Sequence, residues 1–192
     1  MAKLIILEGA RTAGKSTAAR ALRETLKSST LINMTGFPED GRYGLEKIVK
    51  YYDAFLTYIN LLDNQYTFIL DRTFFTEMVF SILYKHYDFN PYYDGFVNRL
   101  IIGNHEIHFF LFSVNDEDIK FRLIRNKTDY FSTKDTIEEI IHQKKKYDDL
   151  VYELSYRFNF FNNKERFFHP INTSYMREDE VVRYIKDKLE IL

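Results

Sequence analysis

Apolar positions along the chain fall into two alternating kinds of run. Short β-rich stretches at 3–7, 31–34, 66–70, 107–113 and 166–171 predict strands. Between them, at 15–27, 44–63, 73–87, 92–102, 116–125, 135–158 and 177–191, the pattern is helical. Leu45, Ile48, Val49, Tyr52 and Phe55 recur at helical spacing and read as one buried face. Thr136, followed three residues later by Glu139, is the signature of a capping box opening the helix that runs toward Leu154. Strands alternating with long helices predict a parallel sheet with crossover helices. No repeat, Pro/Gly/Ser linker or composition break divides the chain, so 1–192 is expected to form one α/β domain.

Composition narrows the class. Hydrophobic residues make up 45% and charged residues 29% of 192 residues, with only 7 Gly and 3 Pro, which excludes disorder and low complexity. With no Cys there is no disulfide framework, thiolate zinc site or cysteine nucleophile. Lys+Arg number 27 against 28 Asp+Glu, a balance that argues against a nucleic-acid partner. The apolar run from Leu4 to Leu7 is too short for a signal peptide, and none approaches the roughly 18 residues of a membrane span. A cytoplasmic protein without a membrane partner is the expectation. The 18 Phe and 15 Tyr read mainly as core, with a few left to line a base-binding pocket.

The strongest local signal is Gly9-Ala10-Arg11-Thr12-Ala13-Gly14-Lys15-Ser16, which satisfies G-x-x-x-x-G-K-[ST] between a predicted strand and a predicted helix. The glycines let backbone N–H groups curl around phosphate oxygens, and the helix from Lys15 through Thr17 presents its positive end. Lys15 would reach the β- and γ-phosphates, and the Ser16 hydroxyl would ligate Mg²⁺. The motif implies binding of a nucleoside triphosphate. A second strand ends in Asp71, where a carboxylate can serve the metal, and Arg72 follows it, aimed at a second anion.

Glu8-Gly9, Gly14-Lys15-Ser16-Thr17 and Asp71-Arg72, in this order, resemble the thymidylate kinase and deoxynucleoside kinase superfamily of P-loop kinases. The resemblance runs through the whole chain in layout, although only the loop and the Asp-Arg pair are specific. It implies a three-layer α/β/α fold with a five-stranded sheet in the order 2-3-1-4-5. It also implies ATP and Mg²⁺ as cofactors, a small nucleotide as substrate, and pairing of two copies as a homodimer through helices beside the sheet. By the same resemblance Arg72 holds the acceptor phosphate and Asp71 organises the metal. Arg122 and Arg125, at the end of the helix at 116–125, resemble the arginines of a lid at about 125–134 that closes over the transferring phosphoryl group. A cation arriving on closure would stabilise the charge spread over its oxygens.

Two acceptors remain open at this level. A nucleoside hydroxyl must lose a proton, so a carboxylate base is useful; a monophosphate is already anionic and needs cations. In deoxynucleoside kinases that base is a Glu after the second strand, where this chain has Phe37, which favours the monophosphate. Glu39 and Asp40, just downstream, remain alternative bases. Arg11 stands where thymidylate kinases carry an Asp that contacts the acceptor sugar, so acceptor recognition differs in detail. Phe37, Tyr52, Phe55 and Phe75 are candidates to contact the acceptor, with Arg99 reaching it from a later helix. A nucleotide-dependent switch without a small acceptor is the rival reading. His105 and His108 read as edge residues and Lys144-Lys145-Lys146 as a solvated face.

Overall fold

The computed structural model describes residues 2–34, 38–62, 66–126 and 136–190. The elements are β1 (Lys3–Gly9), α1 (Lys15–Thr25), β2 (Ser29–Asn33), α2 (Gly41–Leu61), β3 (Thr67–Asp71), α3 (Phe74–Tyr84), α4 (Asn90–Ile102), β4 (Glu106–Ser113), α5 (Asp116–Asn126), α6 (Ile137–Tyr156), β5 (Arg166–Asn172) and α7 (Glu178–Lys188). The strands form one parallel sheet in the order β2-β3-β1-β4-β5, as expected. Because helices cover both faces of the sheet, its central strands β1, β3 and β4 are largely buried and alternate between two cores. Leu4 and Ile6 of β1 join Phe68, Leu70, Phe109 and Leu111 under α2, α3, α4 and α6. Ile5 and Leu7 join Ile69, Phe110 and Phe112 against α1 and α7.

Local chemistry sets the ends that matter. Helix α2 starts at Gly41, earlier than the apolar period alone predicts, because the Asp40 side chain accepts from the Gly41 N–H at 2.6 Å. The capping box at Thr136 and Glu139 forms in both directions. Gly9 ends β1 at φ 136, and a Cβ there would lie 2.1 Å from the Phe112 carbonyl oxygen of β4. Only glycine tolerates both the angle and the approach. Gly9→Ala is therefore expected to lose at least about 2 kcal/mol of stability, measured by denaturant unfolding.

The helices after the adjacent strands β1 and β3 leave on opposite faces of the sheet, α1 into one core and α3 into the other. This divergence opens a crevice at the carboxyl edge of the sheet, the place where open α/β sheets bind their ligands.

Candidate active site

The loop Gly9 to Ser16 lines that crevice. Gly14 caps α1 in the left-handed region at φ 89, and the first-turn amides that follow have no intrahelical partners. An anion beneath α1 is the natural complement of those amides. Ala10 and Ala13 are buried, Arg11, Thr12 and Ser16 half-buried, and Thr17 exposed. Lys15 is buried, and its ammonium donates to the Ala10 carbonyl at 2.6 Å, so it folds back across the loop. Burial pushes its pKa well below the ordinary value, with Arg72 and Arg11 adding in the same direction and Asp71 and Glu8 opposing. Such a lysine is short of negative charge, which a phosphate would supply.

Asp71 ends β3 beside the loop. One carboxylate oxygen accepts from Asn33 Nδ2 at 3.3 Å; the other, Oδ1, is buried without a hydrogen bond among the described residues. Orphaned buried oxygens are uncommon, and an open carboxylate oxygen on the strand next to the phosphate loop suits a hard cation. No group of three or more His, Asp or Glu side chains able to hold a metal occurs among the described residues. Mg²⁺ suits such a site because it commonly takes one or two side-chain oxygens and completes its shell with phosphates and water. The residues thus fit the magnesium nucleotide that the motif implies.

Arg72 occupies the left-handed region at φ 71, strained for a side chain with a Cβ, and its N–H donates to the Leu7 carbonyl at 3.1 Å. The turn throws its guanidinium over the Phe80 ring of α3, 5.5 Å from the centroid. Arg11 of the loop lies over the same ring at 5.3 Å. The Arg11 backbone is set by Gln143 of α6, whose Oε1 accepts its N–H at 2.9 Å while Nε2 donates to the Tyr84 hydroxyl at 2.8 Å. Two guanidiniums thus converge on one ring, both close enough to perturb Lys15. Neither Phe80 nor Gln143 stood out in the sequence, since a lone Phe in an apolar helix and a Gln beside a lysine run carry no pattern.

Beneath the loop, Glu8 is fully enclosed. Thr73 Oγ1 donates to its Oε1 at 2.8 Å and Thr76 Oγ1 to its Oε2 at 2.5 Å. The Tyr147 hydroxyl closes the set, 2.7 Å from Thr76 Oγ1 and 3.4 Å from Oε2. Burial raises the Glu8 pKa to about 6, against the lowering effect of the two threonines, Arg72 and Lys15. A carboxyl whose folded pKa exceeds its unfolded value contributes stability below the unfolded pKa and loses it as pH rises through the folded one. Wild type is expected to lose on the order of 2 kcal/mol relative to Glu8→Gln as pH rises from about one unit below 4.5 to about one unit above 6, read from denaturation midpoints across that window.

Several candidates from the sequence are placed elsewhere. Tyr52 and Phe75 are wholly buried: Tyr52 meets Phe74, Phe89 and Phe96 edge-on, and Phe75 meets Phe109 and Phe160. They are core rather than a stacking surface, because the apolar face of α2 and the first turn of α3 turn inward together. Phe55 is half-buried against the same core. Arg99 lies near the end of α4 that leads to the amino edge of the sheet, paired with Asp53 and donating to Thr57 Oγ1 at 2.9 Å, away from the loop. Arg122 donates to the Thr12 carbonyl at 3.0 Å, to Thr173 Oγ1 at 2.8 Å and to the Thr173 carbonyl at 2.6 Å. It braces the phosphate loop against the turn after β5. The Arg125 side chain, Phe37 and residues 127–134 of the expected lid lie outside the described residues.

Asp40 is committed as well, and Glu39 in part, its Oε2 being buried without a hydrogen bond among the described residues. Glu39 pairs with Lys47, while Asp40 caps α2, accepts the His86 N–H at 2.8 Å and meets His86 Nδ1 at 2.6 Å. These bonds to His86 and the Gly41 N–H hold Asp40 down at a pKa of about 2, which makes it a weak base. His105 bonds Asn60, and His108 lies between Glu106 and His169 at the amino edge of the sheet. Lys144 and Lys146 pair with Asp116 and Asp149.

A five-stranded parallel sheet in this order, with a phosphate loop on its central strand and an Asp-Arg turn on the next, defines the P-loop kinase fold. Solved structures of that fold align along nearly the whole chain. The YorR protein of Bacillus subtilis, in complex with phosphorylated GDP, matches with a TM-score of 0.64 and 19% identity, over 98% of this chain and 96% of its own. Deoxyadenosine kinase from M. mycoides, with products dCMP and dCDP bound, matches at 0.61 and 15% over 97% and 98%. Thymidylate kinase from Candida albicans matches at 0.61 and 15% over 98% and 91%. No protein-family model and no curated protein matches the sequence. Among the described residues, no helix is long and apolar enough to cross a membrane.

Proposed function

We propose that the chain is a single kinase domain, with a lid at about 125–134, that transfers the γ-phosphoryl group of ATP to a deoxynucleoside monophosphate, dTMP-like in kind. The observation that carries this reading is the pair of guanidiniums, Arg11 and Arg72, set against Phe80 beside the buried Lys15. Two cations on the acceptor side of a phosphate loop suit an acceptor that brings its own negative charge. The carboxylates nearest the acceptor side bear on the same choice. Asp40 is taken by His86 and the α2 cap and Glu8 is sealed under hydroxyls, while Glu39 spends Oε1 on Lys47 and keeps Oε2 buried without a hydrogen bond among the described residues, which makes Glu39 the carboxylate that a nucleoside-kinase reading would use.

In this mechanism Lys15 draws charge from the β- and γ-phosphates; Ser16 and Asp71 would hold Mg²⁺, which would supply further positive charge to the nucleotide. Arg72, with Arg11, holds the acceptor phosphate in line. Arg125, from the lid, meets the charge that develops on the transferring group. Positioning and electrostatics do nearly all the work, because phosphoryl transfer asks little covalent chemistry of the protein. Thymidylate kinase and deoxyadenosine kinase share this fold, which makes both acceptor types worth testing. Acceptor-dependent ADP release should be measured across deoxynucleoside monophosphates and nucleosides. Monophosphates are expected to drive it; release driven only by nucleosides would move the assignment to a nucleoside kinase, and none at all to a switch.

A further inference from the structure

We propose that Glu8 is a positioning residue: its carboxylate, gripped by the hydroxyls of Thr73, Thr76 and Tyr147, locks the phosphate loop and the Asp71-Arg72 turn into one register, so that donor and acceptor phosphates meet. The catalytic part of this inference rests on the transfer activity proposed above; the mechanical part does not.

Glu8 is the residue before Gly9, so whatever fixes its side chain fixes the start of the phosphate loop. Thr73 is the residue after Arg72, and its Oγ1 serves twice, donating to Glu8 and accepting the Phe75 N–H at 3.2 Å as the cap of α3. Thr76 stands one turn further on and grips the second carboxylate oxygen. Movement of Arg72 away from the loop would break the Glu8–Thr73 bond.

The third partner comes from a distant segment. Tyr147 lies on α6, one turn after Gln143, which holds the Arg11 N–H. Glu8 therefore ties together the three segments that bring cations to the crevice: the loop with Lys15 and Arg11, the turn with Arg72, and the helix that sets Arg11. A carboxylate with no solvent exposure is expensive to bury, and its retention among three hydroxyls asks for a reason beyond packing. A lock of this kind supplies one. Transfer between two bound phosphates is sensitive to misplacement of about 1 Å, whereas binding of either one alone is not.

The test compares wild type with Glu8→Gln, which keeps the volume and removes the charge and one acceptor. The first readout is backbone hydrogen exchange at residues 72–77 with and without ADP and Mg²⁺, which needs no catalysis. In wild type, nucleotide on the loop should slow exchange at 72–77 by about tenfold, a coupling of ordinary size between contacting groups. Glu8→Gln should bind ADP with a dissociation constant within about threefold of wild type and lose that added protection.

The second readout is kinetic. Turnover of Glu8→Gln should fall by about a hundredfold with the KM for ATP nearly unchanged. Retained protection at 72–77 in Glu8→Gln, or loss of ADP affinity in step with turnover, would overturn the proposal. Should wild type transfer to no acceptor, the activity would be refuted while hydrogen exchange still decides the role of Glu8. If Glu8→Gln does not fold, Thr76→Val carries the same expectation on the exchange readout, because it frees one carboxylate oxygen and leaves Glu8 in place.

Discussion

Lys15→Met is expected to lower turnover by about a hundredfold to a thousandfold while leaving the unfolding midpoint close to that of wild type. The two halves of this expectation have separate causes. Lys15 is the loop's own cation, and a positioned donor aimed at developing phosphoryl charge contributes mainly in the transition state. Its contribution to the folded protein is a balance of opposites. The bond to the Ala10 carbonyl at 2.6 Å stabilises, while burial of an ammonium near Arg72 and Arg11 costs a comparable amount. Methionine keeps the stem's packing and removes both. Steady-state rates and denaturant unfolding on the same preparation check the pair of statements; an unfolded variant would make Lys15 a structural residue, and an active one would remove it from the chemistry.

Arg72→Ala is expected to raise the KM for the acceptor by about tenfold to a hundredfold, the value of a lost hydrogen-bonded charge contact, with the KM for ATP changed far less. The backbone supplies an internal control. At φ 71, alanine is strained and glycine is not, so Arg72→Gly should be more stable than Arg72→Ala by about 1 kcal/mol. If the two variants share the acceptor defect despite that difference, the loss belongs to the guanidinium rather than to the turn. A defect that follows stability instead would make Arg72 a structural residue. Arg99→Ala is the comparison that should leave acceptor kinetics unchanged, since Arg99 is held by Asp53 and Thr57 of α2.

The fold was largely legible from hydrophobic pattern because its central strands are buried on both sides. The central strands read as mainly apolar runs, and the five predicted runs place β1 to β5 within about two residues of where they lie. The phosphate loop was legible for a different reason: the chemistry of cradling phosphate fixes residue types at fixed spacing, as Gly9, Gly14, Lys15 and Ser16 do. Side-chain orientation was much less legible. Tyr52 and Phe75 were expected to face the acceptor because aromatic residues suit stacking on a base, yet their helical period points them into the core. Arg122 has the composition of a lid residue, and only tertiary structure shows that it also joins the Thr12 and Thr173 carbonyls.

The parts that no local pattern could reveal are the long-range ones. Glu8 meets Thr73, Thr76 and Tyr147, and Arg11 meets Gln143, across separations of 65 to 139 residues. Nothing in the spacing of a single sequence marks such partners. Similarly, Asp40 looked like a spare carboxylate near the acceptor until its bonds to Gly41 and His86 were seen. The choice between a nucleoside and a monophosphate acceptor depends on these committed groups more than on any motif.

The most direct measurement is to follow γ-labelled ATP with Mg²⁺ and dTMP and to resolve the products by chromatography and ³¹P NMR. Label in the β-phosphate of dTDP, absent without Mg²⁺ and nearly absent in Lys15→Met, is the predicted result. Label appearing only in inorganic phosphate, or in a monophosphate formed from an added nucleoside while every deoxynucleoside monophosphate stays unlabelled, would contradict it.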